Sequence, residues 1–216
     1  MVGFWLYLHI LLLVFWVGTD LGVFLAAKYS ERAALSYETR ATLLQLGMVL
    51  DRLPRSALTL IIPSGLSLAH AAGFDSYPPS LLPAAWMVAG AWLLVLWRGF
   101  MSGDPAVQER CALINWLMNM AMAVVVSTAA LYLLLMTSSP LWLSLKMLAV
   151  GGIFIIGTLL DYFFRPAVGY FAALAERPDE PELNALYSRA LAPVYVTVLT
   201  IYALALAAAA LGVFKP

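Results

Sequence analysis

The sequence predicts an all-α, polytopic membrane protein built as a transmembrane helical bundle, and three observations carry that prediction. Of its 216 residues, 63% are hydrophobic and 11% charged, with a mean hydropathy of +0.90, a composition that excludes an ordinary soluble domain. Apolar runs near the ~20 residues needed to cross a bilayer recur along the chain. The Lys and Arg residues segregate into alternate connections, the pattern of a chain threaded repeatedly through a membrane.

Six spans are expected within a single integral membrane domain. The first, Gly3–Ala27, lacks a basic lead and a small-residue cleavage site and reads as a retained span. It places His9, Trp16 and Asp20 seven and four residues apart, on one helical stripe that should face protein. Ser36 is a candidate N-cap for an amphipathic surface helix over Tyr37–Leu53, closed by a break at Pro54. Span two is Arg55–Gly73, with a bend expected at Pro63 and Gly65, and it carries His70. Pro78, Pro79 and Pro83 predict an extended loop before span three, Ala84–Met101. Span four, Arg110–Thr137, holds Asn115 and Asn119 one turn apart. Span five, Leu141–Phe164, carries Lys146 and Asp161, and an amphipathic tail over Ala167–Ala175 follows Pro166. Span six is Leu191–Phe214, after a polar helical lead near Leu183.

Loop charge fixes the expected direction. Lys28, Arg32, Arg40, Arg52, Arg55, Arg98, Arg110, Arg165, Arg177 and Arg189 all follow odd-numbered spans, whereas the other side holds only Lys215. Both termini are therefore expected outside, in the periplasm of a bacterial inner membrane. A net charge of +0 offers no basic surface for nucleic acid. Cys111 is the only cysteine, which excludes an intramolecular disulfide and a cysteine-based cluster. Walker, serine-hydrolase and zinc-protease motifs are missing, so a hydrolase is not expected.

Counting from the span ends puts His9, His70 and Lys146 in an outer layer accompanied by Trp5, Tyr7, Trp86 and Trp142. An inner layer holds Asp20, Arg55, Arg98, Asn115, Asn119 and Asp161, in which Asp20 is expected to pair with Arg55 or Arg98. Two histidines at matching depth on neighbouring antiparallel helices suit a metal or a haem iron held from both faces. The alternative is interfacial histidines bonded to headgroups, water or backbone, with Lys146 snorkelling outward. Met118, Met120 and Met122 alternate along a helix, which favours packing over soft-metal ligation.

The stretches LHILLLVFWVGTDLGVF (residues 8–24) and DRLPRSALTLIIPSGLSLA (51–69) resemble the first two spans of HemJ-type protoporphyrinogen oxidases and related CopD-like membrane proteins. The resemblance implies haem b with His9 as an axial ligand. The family's intramembrane lysine follows a tryptophan near the outer start of its third span; Trp142 and Lys146 have that spacing but lie in span five. The expected function is a haem-binding membrane redox protein, doing electron transfer or oxidation. His9 and His70 are the candidate iron ligands, Trp16 and Trp142 would line the cofactor, and Lys146 would be the catalytic or anion-pairing group. Quinone or a porphyrin is the expected reaction partner. The competing expectations are copper or small-solute transport in the CopD manner, and a non-catalytic subunit of a larger complex or homo-oligomer, docked through segments 37–53 and 167–175.

Overall fold

The computed structural model describes residues 1–74, 77, 78 and 80–215; Pro79 of the expected proline loop lies outside them. The described residues form seven α-helices and no strand: α1 (Val2–Ser30), α2 (Tyr37–Leu50), α3 (Arg52–Ala71), α4 (Leu81–Met101), α5 (Pro105–Met136), α6 (Leu141–Ala173) and α7 (Pro181–Phe214). Five of them, α1, α4, α5, α6 and α7, are long and apolar enough to cross a membrane.

Local chemistry explains where the helix ends depart from expectation. Ser36 caps α2 as predicted, its Oγ accepting the Thr39 N–H at 3.3 Å. The Glu38 carboxyl is held below its ordinary range by its own backbone N–H and by Ser36. The break after α2 falls at Asp51 and not at Pro54, which sits in the first turn of α3, where a missing N–H costs nothing. Pro83 is likewise inside the first turn of α4. The end of α3 is a Schellman turn: Gly73 adopts φ 85°, its N–H bonds to His70 O at 3.0 Å, and Phe74 N–H bonds to Ala69 O at 2.9 Å. An Asp104 cap, with Oδ1 accepting the Ala106 N–H at 2.9 Å, and Pro105 as the first helical residue start α5 five residues before the predicted Arg110. The α6 helix continues through Pro166 to Ala173, and α7 starts at Pro181 and runs through Pro193. The polar leads and tails are thus parts of the spanning helices.

The chain divides into two compact units. The first comprises residues 1–28 and 42–115, the second residues 29–41 and 116–216. In the first unit α3 is the helix that its neighbours cover. Pro54, Ala57, Thr59, Ile61, Pro63, Ser64 and Ser67 are all buried. On the α1 stripe of His9, Trp16 and Asp20, Trp16 is buried and His9 and Asp20 are half-buried; Leu12 and Ala26 of the same helix are also buried. Gly47 of α2 approaches Ala26 so closely that a Cβ there would lie 3.2 Å from it.

In the second unit α6 and α7 pair along their length. Their core joins Ala167, Leu174, Leu183, Tyr187, Leu191 and Val194. At Gly151 of α6, Ser127 of α5 occupies the space a Cβ would need. The segment 29–41 is tied to α7 by polar contacts. Ser30 Oγ and Tyr187 Oη are 2.6 Å apart, and the buried Arg40 donates to Ser30 O at 2.6 Å and to Asn184 Oδ1 at 2.8 Å. Glu31 accepts from the Ser188 and Tyr195 hydroxyls. Burial pushes the Arg40 guanidinium below its usual range, opposed by Tyr187 and Tyr37.

Candidate functional site

The site is built on α3. Inside this helix a serine hydroxyl has one proton and accepts with its lone pairs, and three serines use both functions in the same way. Ser56 donates to Arg52 O at 2.7 Å and accepts the Trp97 indole N–H at 3.2 Å. Ser67 donates to Pro63 O at 2.8 Å and accepts the Trp86 indole N–H at 3.0 Å. Ser64 donates to Ile61 O at 2.9 Å and lies 2.9 Å from His9 Nδ1. With its proton committed to the carbonyl, Ser64 acts as the acceptor toward His9. In its neutral form His9 is then the Nδ1–H tautomer, with the lone pair on Nε2.

The surroundings hold that ring in place. A Cβ on Gly65 would fall 3.1 Å from His9 Cε1, so the imidazole rests on a patch of bare α3 backbone that only glycine leaves open. Pro63, Ser64 and Ser67 are fully buried beneath it. On the same α3 segment Leu66 O accepts the Tyr77 hydroxyl at 2.7 Å, and the Trp86 ring lies 5.8 Å from that of Trp5. Hydroxyls bonded back to the helix thus present acceptors to three ring N–H groups, from α1 and α4.

His9 is brought to Ser64 and Gly65. His70 lies five residues beyond Gly65, a rise of about 7.5 Å, and it is exposed in the last turn of α3. Among the described residues no three His, Cys, Asp or Glu side chains converge as a metal-ligand group. Trp16 is buried two turns along α1 from His9.

The inner polar residues are dispersed. Arg55 pairs with Asp51 at 2.6 Å across the start of α3. Asn115, buried on α5, accepts the Trp92 indole N–H at 2.9 Å. Arg98 is exposed and lines a groove, and Asp20 is half-buried on α1. Asn119 and Asp161 are half-buried in the second unit. Lys146 also belongs there: its Nζ occupies the space beside Gly212, and Lys215 Nζ sits 5.6 Å from the Trp142 ring centre.

Sequence reasoning singled out His9 but passed over Ser64, Gly65 and Ser67. The signal was present in PSGLS, where hydroxyls and a glycine follow a proline inside a span. Comparison with protein-family models, curated proteins and solved structures finds no match, so function is argued from the site alone.

Proposed function

We propose that this chain is a membrane-embedded haem b protein of electron-transfer or oxidising function, with His9 as the protein ligand to iron. The carrying observation is the donor chain from His9 Nδ1 through Ser64 to Ile61 O. Ligating histidines commonly donate the second ring N–H to a fixed acceptor, which sets the tautomer and the ring plane. A porphyrin supplies four nitrogens of its own, so one oriented imidazole suffices. A bare ion held by imidazole, thiolate or carboxylate needs three or four ligands, and the described residues bring no such group together. That contrast favours haem over a copper site of those ligand types.

In this reading α3 is a sixth span. It falls short of the other five in apolarity because of Arg52, Arg55, Ser56, Thr59, Ser64, Ser67 and His70. Yet its 20 residues are about 30 Å long, enough for the hydrocarbon core. A helix covered by its neighbours need not be apolar all round, provided its polar groups are bonded. Six spans with the observed loop charges put both termini outside a bacterial inner membrane.

Haem-replete expression followed by an absorption spectrum of the purified protein tests the reading. A Soret band is expected in the wild type and in His70→Ala. A wild-type preparation without one rejects haem binding.

A further inference from the structure

We propose that the groove between α4 and α5 binds an anionic phospholipid, its phosphate held between Arg98 and Arg110 and one acyl chain running along Leu94, Val95 and Ile114. The inference requires only that the protein sits in a membrane. It is independent of the haem assignment, and either can fail without the other.

The groove follows from the way the two helices meet. Gly99 lets α4 press against Cys111 of α5, where an added Cβ would fall 2.9 Å from the Cys111 Cβ. Leu94, Val95, Arg98, Val107, Arg110 and Ile114 line a cavity of about 330 Å³ together with Cys111. A second depression of about 500 Å³ adjoins it and shares Leu94 and Arg98.

Charge and apolarity are ordered along this groove as they are along a lipid. The helices run in opposite directions out of the short connection 102–104. Arg98 is three residues before the end of α4, and Arg110 is five residues after the start of α5, so both guanidinium groups lie near the connection. Leu94 and Ile114 are each four residues farther along, about 6 Å deeper toward the bilayer centre. Basic pockets between helices at a membrane surface are suited to anionic headgroups, and guanidinium groups bind phosphate oxygens in pairs.

Among the described residues nothing neutralises the two arginines. Neither forms an ion pair or a side-chain hydrogen bond among the described residues. The nearby carboxylates do not fill the role: Asp104 caps α5 through the Ala106 N–H, and Glu109 is exposed and does not line the groove. The walls are apolar and open, with Leu94 74% and Ile114 43% exposed. A lipid with a charged head and a hydrocarbon tail matches both halves, whereas free phosphate matches only the arginines.

Native mass spectrometry of the full-length protein, with equimolar phosphatidylglycerol and phosphatidylcholine in detergent, tests the proposal. The wild type is expected to retain phosphatidylglycerol about 30-fold over phosphatidylcholine, the scale set by two surface arginines. The double variant Arg98→Gln/Arg110→Gln should bring the two lipids near parity, whereas Arg177→Gln/Arg189→Gln in the second unit should leave the preference intact. Ile114→Trp keeps both charges but fills the apolar end. It should lower phosphatidylglycerol retention several-fold, and it carries the test if the double variant does not fold. Equal retention of both lipids by the wild type, or undiminished retention in Ile114→Trp, overturns the proposal.

Discussion

At His9 the proton is assigned by counting donors. The Ser64 hydroxyl gives its only hydrogen to Ile61 O, so the 2.9 Å contact to Nδ1 needs the hydrogen from the ring. Ser64→Ala leaves that N–H without its acceptor and deletes a buried hydroxyl. We expect a loss of about 1–2 kcal/mol in unfolding free energy in detergent and a haem affinity lower by about 10- to 100-fold, read by haem transfer to an apo-globin acceptor. Unchanged affinity would show that the serine does not orient the ligand. Gly65→Ala probes the same ring sterically, because the new Cβ would lie 3.1 Å from Cε1 and the imidazole must shift by a few tenths of an ångström. A displaced Soret maximum with retained haem is the expected result. In the sequence His9 was legible because an ionisable group inside a span is costly and conspicuous. Ser64 and Gly65 were not, since a serine in an apolar helix is more often bonded to its own backbone.

At the level of elements, two of the α6 glycines predict opposite outcomes. Gly151 has Ser127 where a Cβ would go, and Gly157 has nothing within 4 Å. Gly151→Leu should therefore lower the thermal midpoint in detergent by several degrees, as overpacking of about 1–3 kcal/mol does. Gly157→Ala should raise stability by about 0.5–1 kcal/mol through the lower helix cost of alanine. The second unit offers a polar counterpart. Arg40 is 1% exposed, donates to Ser30 O and Asn184, and lies over the rings of Phe171 and Tyr187. Arg40→Leu leaves both acceptors without this donor and should cost about 2–3 kcal/mol, measured by the same melt. Helix existence and type were readable from apolar run length, and the caps at Ser36 and Gly73 follow from local residue chemistry. The start of α5 was misplaced because span length was read from apolarity, whereas Asp104 with Pro105 starts the helix earlier; the polar lead expected near Leu183 begins at Pro181. The ties from Arg40 to Asn184 and from Glu31 to Tyr195 cross more than 140 residues, and no local pattern announces them.

For the molecule as a whole, the status of α3 decides the topology. Five spans would put the termini on opposite sides of the membrane and six on the same side. The account predicts the same side, with both ends outside. Periplasm-active reporters at each end should be active, and a fusion in the connection at Ser102 should be inactive; reporters active at only one terminus would remove α3 from the membrane. The loop charges from which this direction is proposed are plain in the sequence, but the helix that would make the number even is masked by its own serines and arginines. The central claim remains that His9 presents Nε2 to a haem iron. Haem content per mole of purified protein, wild type against His9→Ala at matched helix content, tests it most directly. Near-stoichiometric haem is expected in the wild type and almost none in the variant; equal haem in both would rule out His9 as the ligand.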